Sequence, residues 1–281
     1  MASTPAAARA AAPIRVGVGG WTFAPWRDNF YPKGLAQARE LAFASRQLTA
    51  IEINGTYYST QKPASFARWR DETPAGFVFS LKASRFATNR RVLAGAGDSI
   101  ARFVDSGIEE LGAKLGPIVW QFMPTKAFEP EDFEAFLALL PKKAGSRRLR
   151  HVLDVRHPSF LAPAYVALAR RYGCASVFTD SEKFPSFADL SSDFVYARLM
   201  RSSTRYRAGY APAALDRWAQ AARQWSVGEE PAELPRVQPP GGGPARPRAV
   251  FVFFINGAKE RAPAAAQALL ERLGATPAAA P

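Results

Sequence analysis

Residues 150–180 read RHVLDVRHPSFLAPAYVALARRYGCASVFTD. An apolar strand, Arg150–His157, gives way at Pro158 to an amphipathic helical stretch, Ala162–Tyr172, and a second apolar strand follows at Ala175–Asp180. The second is a near-continuous apolar run, as are many strands of this chain, which is expected of parallel strands covered on both faces. Both also finish on polar side chains: Asp154, Arg156 and His157 in the first, Asp180 in the second.

The same rhythm extends in both directions. Further strands are predicted at Ile14–Trp21, Ala50–Asn54, Phe77–Ser84, Gly116–Phe122, Phe194–Met200 and Ala249–Asn256. Helices are predicted at Leu35–Gln47, Pro63–Glu72, Asp98–Leu111, Pro130–Leu140, Pro212–Trp225 and Ala262–Leu273, several with proline near the first turn, where its missing N–H costs nothing. Eight strands alternating with helices over 281 residues predict an α/β fold, a parallel eight-stranded (β/α)8 TIM barrel in a single domain spanning 14–274. An open doubly wound sheet satisfies the same periodicity. Ser181–Asp193 has room only for a helical turn. Residues 227–248 are too rich in proline and glycine for helix or strand and predict a flexible insertion leaving the N-terminal face of the barrel. Residues 1–13 and 275–281 read as disordered tails.

Composition narrows the setting. Hydrophobic residues make up 48% of the chain, enough for a large core, and no apolar run approaches the ~20 residues that cross a bilayer, so no membrane association is expected. Cys174 is the lone cysteine and sits in an apolar run, which predicts a buried inert thiol and fits a cytoplasmic location. The net charge of +13 favours anionic partners, either small metabolites or nucleic acid.

In a barrel the functional site forms where the C-terminal ends of the strands converge. Those positions hold Trp21, Glu52, Asn54, Lys82, Arg85, Gln121, Asp154, Arg156, His157, Asp180, Arg198 and Asn256, with Tyr57 just beyond the second strand. Isolated buried charge is expensive, so such a set points to one shared polar pocket. Glu52, Asp154 and His157 suit proton transfer. Lys82 suits a Schiff base or anion neutralisation. Arg85, Arg156 and Arg198 suit bidentate grip on phosphate or carboxylate. Asn54, Gln121 and Asn256 suit substrate orientation, and Trp21 and Tyr57 offer flat faces for stacking. With only His151 and His157 in the chain, a multi-histidine metal site is excluded. A divalent metal on Glu52, Asp154 and Asp180 stays open, and no nucleotide-cofactor loop follows a strand, so no cofactor is evident.

The stretches GVGGWTFAPWRDNFYP, EINGTYYSTQKPASFARWRDETPAGFVFSLKASR, LGPIVWQF, DVRHPSF and VFFIN, in this order, resemble the YecE-like family (DUF72), TIM-barrel proteins of unknown function. The likeness runs from about Ile14 to Leu273 and implies that Glu52, Asn54, Tyr57, Lys82, Arg85, Gln121, Arg156, His157 and Asp180 occupy motif positions. The chain departs from that pattern at Asp154, Phe160, Asn89 and Leu199, as a diverged substrate would produce.

Together these readings predict an enzyme, a hydrolase or lyase using general acid/base chemistry on a small anionic substrate. A nucleic-acid-binding or nuclease-like barrel, a glycosidase and a non-catalytic binder are the alternatives. Oligomeric state leaves no mark in the sequence.

Overall fold

Eight parallel strands close on themselves in the computed structural model, which describes residues 10–27, 29–240 and 245–275. They are β1 (Ile14–Gly19), β2 (Ala50–Ile53), β3 (Val78–Lys82), β4 (Leu115–Gln121), β5 (His151–Asp154), β6 (Ala175–Thr179), β7 (Phe194–Leu199) and β8 (Ala249–Phe254). Each pairs with its sequence neighbour, and β8 closes the ring on β1 from Ile14↔Val250 to Val18↔Phe254. The fold is therefore a single-domain α/β barrel, and the open doubly wound alternative is ruled out.

The helices are α1 (Glu40–Gln47), α2 (Gly55–Tyr58), α3 (Pro63–Glu72), α4 (Arg85–Thr88), α5 (Gly97–Val104), α6 (Pro130–Ala138), α7 (Pro163–Arg171), α8 (Pro212–Ser226) and α9 (Ala262–Leu273). Proline opens α3, α6, α7 and α8, as the sequence pattern required. The stretch expected as one helix over 98–111 is instead α5 followed by a separate 3-10 segment, Ile108–Lys114. Gly107 sits between them at φ 97°, and a Cβ there would lie 2.7 Å from Pro63, so helix propagation stops. The two-residue hairpin Lys143–Ala144 with Arg147–Arg148 was not anticipated from the pattern.

Residues two apart on a strand share a face, and this period organises the barrel interior. At mid-height the inward set includes Ala50, Val119, Val152, Val177, Tyr196 and Phe251, an apolar cluster separate from the larger core between strands and helices. Two residues on, the same faces carry Glu52, Gln121, Asp154, Thr179, Arg198 and Phe253; on β3 the pair is Ser80 and Lys82. On β2, β5 and β7 the lumen thus changes from an uncharged to an ionic side chain within one residue pair. Gly17 keeps the mid-level tight, since a Cβ there would fall 1.9 Å from the carbonyl oxygen of Ala50.

One wall lacks its helix. Residues 181–193 form none, correcting the expected helical turn. The described part of the 227–248 segment covers that flank and does not stand off the barrel. The Asp189 carboxylate accepts the backbone N–H groups of Val237 and Gln238 at 2.7 and 3.0 Å, Ala188 donates to the Pro235 carbonyl, and Leu234 and Val237 pack against the main core. That described part takes neither helix nor strand, as its composition implied. Most of the tail over 1–13 and nearly all of 275–281 lie outside the described residues. At the inner end of the first, the Ala12 amide donates to the Ser226 carbonyl and the Pro13 carbonyl accepts from Val250.

Candidate anion site at the C-terminal mouth

The polar level of the lumen is one connected ionic network. Arg198 is 1% exposed and stands at its centre. Its Nη2 donates to Glu52 at 2.9 Å and its Nη1 to Asp154 at 2.5 Å and to the Gln121 side-chain oxygen at 3.3 Å. Arg156 approaches Asp154 from above, with Nη2 2.9 Å from the carboxylate and 2.8 Å from Gln121, and its guanidinium lies 4.4 Å from the Phe184 ring centroid. The second oxygen of Glu52 accepts the Tyr196 hydroxyl at 2.8 Å, and Ser80 lies 2.7 Å from that hydroxyl. Stripping water from each ion costs several kcal/mol, which the paired Nη1 and Nη2 groups offset, while the buried Arg198 Nε has no partner among the described residues.

The charge states follow. Burial pushes the Asp154 carboxyl up, but Arg198 and Arg156 outweigh it and the net displacement is downward, so it is ionised. Burial works against the charge on Arg198, and Glu52 and Asp154 more than restore it. Lys82 moves the other way: burial first, then the Arg198 charge, lower its ammonium from 10.5 to about 8 against the pull of Glu52 and Asp154. Its Nζ lies 4.2 Å from the centroid of Tyr57, whose hydroxyl donates to Asn89.

Above this network opens a cavity of about 540 Å³. Its polar wall comprises Lys82, Arg156, Arg198, Lys259, Asn54, Gln61, Gln121 and Asn256, and its flat wall includes Trp21 and Trp69, which meet edge to face at 5.3 Å. No carboxylate is among the described lining residues. Glu52 and Asp154 lie below the cations as their counterions. Three cations against two carboxylates in the network leave an excess of one positive charge, and Lys259 raises it to two. Lys82 and Lys259 make no ion pair among the described residues, and Arg156 Nη1 has no partner there.

Of the residues singled out from sequence, Trp21, Asn54, Lys82, Gln121, Arg156, Arg198 and Asn256 converge on this cavity. Tyr57 backs Lys82, and Glu52 and Asp154 lie in the network below. The remaining three sit elsewhere. Arg85 is exposed and leans on Tyr58 and Phe86. His157 accepts the Ser159 backbone N–H through Nδ1 and caps the turn at Pro158–Phe160. Asp180 accepts the Met200 amide and the Tyr210 hydroxyl, tying the β6 loop to the end of β7. Glu52, Asp154 and Asp180 therefore do not meet as a ligand set, and among the described residues no three His, Cys, Asp or Glu side chains do. The sequence reading missed Lys259 and Tyr196. The first lies three residues past Asn256 in the loop after β8, and the second shares a strand face with Arg198 at the two-residue period.

Cys174 is buried, as its apolar run implied, and burial pushes its thiol up to about 12. His151 accepts from Trp120 Nε1 and donates Nε2–H to the Pro141 carbonyl, and burial lowers its pKa to about 4. Among the positions that depart from the family pattern, Phe160 is packed beside Phe128, Phe133 and Tyr165, and Leu199 is buried in the core between barrel and helices. No helix among the described residues is long and apolar enough to cross a membrane.

Comparison with known proteins agrees with this architecture. The family model described as "Protein of unknown function DUF72" matches residues 15–281. A curated relative, the UPF0759 protein YunF of Bacillus subtilis (strain 168), is 25% identical over 157 residues; the match covers 54% of each chain, so it spans about half the length of that relative. Crystal structures of DUF72 family proteins superpose over nearly the whole barrel. One from Thermotoga maritima MSB8 gives a TM-score of 0.68 at 20% identity, covering 92% of this chain and 96% of that one. One from Enterococcus faecalis V583 gives 0.68 at 15% identity, covering 93% and 95%. At these identities the likeness establishes the fold.

Proposed function

The chain belongs to the family of proteins of unknown function DUF72, a description that carries no reaction, and from the cavity itself we propose that it is an enzyme acting on a small anionic substrate. The observation that carries this reading is the lining: among the described residues four cations converge with four amides and no carboxylate. A volume of about 540 Å³ falls within the ~300–1,000 Å³ of small-molecule sites. In this reading Arg156 and Lys259 hold the phosphate or carboxylate group, the amides of Asn54, Gln61, Gln121 and Asn256 orient the remainder, and Trp21 and Trp69 cover its apolar face.

Proton transfer falls to Lys82. It opens to the cavity, has no competing hydrogen bond among the described residues, and titrates near 8, close to working pH. Glu52 and Asp154 are the alternatives that the strand ends suggested. Their oxygens are engaged by Arg198, Arg156 and Tyr196, so we assign them the role of holding the guanidinium groups in place. The same burial weighs against a glycosidase, which needs two carboxylates facing one open cleft.

The test is ligand stabilisation in a thermal melt and by calorimetry, with inorganic phosphate, phosphosugars, small carboxylates and single-stranded oligonucleotides as probes. A small anion that raises Tm, with affinity lost in Arg156→Ala, supports the reading. Stabilisation by oligonucleotides alone, with affinity falling steeply with salt, would move the assignment to nucleic-acid binding.

A further inference from the structure

Lys82 carries an inference that rests on the anion-site reading and extends it to a substrate class. Four features of this residue occur together. The side chain is 8% exposed, yet its Nζ has no hydrogen bond and no ion pair among the described residues. That nitrogen lines the open cavity, where an electrophile can approach it. The Tyr57 ring beneath it, centroid at 4.2 Å, blocks one side and leaves the cavity side free. Beside it on the wall stands Arg156, whose uncommitted Nη1 suits an anionic group.

A lysine placed only to neutralise an anion would gain from a carboxylate partner in the free protein, as Lys126 has in Asp132 at 2.8 Å. Here the two nearby carboxylates are both committed to Arg198, and the amine is left bare. We propose that Lys82 is a covalent catalyst: its amine attacks the carbonyl carbon of an anionic aldehyde or ketone, such as a 2-oxo acid or a phosphorylated carbonyl compound, held through its anionic group by Arg156 and Lys259.

The step balances as follows. The nitrogen lone pair forms a C–N bond while the carbonyl π electrons move to oxygen, giving a carbinolamine. The former carbonyl oxygen then leaves as water, carrying one proton from the amine and one from solvent, and nitrogen retains one hydrogen in a protonated imine. That cation draws electrons from the bond next to the former carbonyl, which is the requirement of a lyase-type cleavage or of proton removal at the neighbouring carbon. The lowered basicity of Lys82 serves the first step, because attack requires neutral amine. At pH 7 its neutral fraction exceeds that of an ordinary lysine by on the order of a hundredfold.

The experiment uses the whole chain with glyoxylate and pyruvate as probes, sodium borohydride to reduce any imine to a secondary amine, and peptide mass mapping to locate the adduct. One adduct per chain on the Lys82 peptide is expected, formed on the order of a hundredfold faster than on exposed lysines at pH 7. Lys82→Arg is the control that keeps charge: it should lose the adduct while still binding oxalate, which has no reactive carbonyl. Labelling confined to Lys259 or spread over surface lysines, or no labelling while oxalate still binds, would overturn the imine proposal and leave the anion site standing. Failure of both oxalate and inorganic phosphate to bind would overturn both.

Discussion

Lys82 also makes the site testable without any ligand. Its ammonium releases a proton at about 8 in the folded protein and at 10.5 in an ordinary lysine. Below pH 8 both states are protonated, and the folded state carries the full cost of a buried, poorly paired cation. Between 8 and 10.5 the unfolded chain holds more protons, so folding stability rises with pH. Above 10.5 both forms are neutral and the penalty is gone. At ~1.36 kcal/mol per pH unit the whole span is worth about 3 kcal/mol. Replacing Lys82 with Met keeps the hydrocarbon stem and removes the titration. Urea unfolding of both proteins from pH 7 to pH 10 gives the comparison, and the difference between the two curves cancels the contribution of the other titrating groups. The wild type should gain about 2 to 3 kcal/mol on the variant over that range. Parallel curves, within about 0.5 kcal/mol, would mean that Lys82 is neither desolvated nor near Arg198, and the argument for its reactivity would fall with them. A bound anion restores the pull on the proton, so anion affinity should decline as pH rises past 8.

Other expectations follow from single contacts. Arg198→Met leaves Glu52 and Asp154 buried without their shared partner and should cost about 3–5 kcal/mol in urea unfolding. Tyr196→Phe removes a hydrogen bond to an ionised group and should cost about 1.5–3 kcal/mol, without abolishing anion binding at the cavity wall above it. Asp189→Ala frees the Val237 and Gln238 amides, so limited proteolysis should cut within 227–248 faster than in the wild type. On the acid side, His151 must take up a proton that the unfolded chain accepts near 6.5 and the folded protein only near 4; stability should fall by up to about 3 kcal/mol between those values, a loss absent in His151→Gln.

The barrel was legible because its signals are local. Alternating apolar runs and proline-started helices need no knowledge of distant residues, and seven of the predicted site residues reach the cavity. Strand ends were less legible. Arg156, His157 and Asn256 read as strand but belong to loops, because a chain leaving the ladder keeps its composition for a residue or two. Arg85, His157 and Asp180, expected at the site, lie beside strand ends with their side chains engaged in the loops themselves, and a one-dimensional pattern does not separate the two uses. The packing of the 227–248 segment was illegible for the opposite reason. Its composition says correctly that its described part forms no helix or strand, but nothing in that composition says that Asp189 supplies acceptors for the Val237 and Gln238 amides, 48 and 49 residues later.

What the strand ends could not convey is which charges face the cavity. In sequence, Glu52 and Arg198 are equivalent: each is a charged residue at the end of a barrel strand, and the acids read naturally as the reactive groups. Side-chain length and the cost of buried charge decide otherwise. Glu52 and Asp154 are short and sit at the floor, where unpaired they would be untenable, so the longer arginine stems reach over and between them and bond both. Arg156, on the loop above, satisfies the remaining demand of Asp154 and still has a nitrogen to spare. The acids are thereby consumed in positioning cations, and the sign of the cavity is set by what remains after pairing: Lys82, Lys259 and the free edge of Arg156. Reversing that order would require an acid longer than its partner, able to reach past the guanidinium groups into the cavity, and neither Glu52 nor Asp154 is that long.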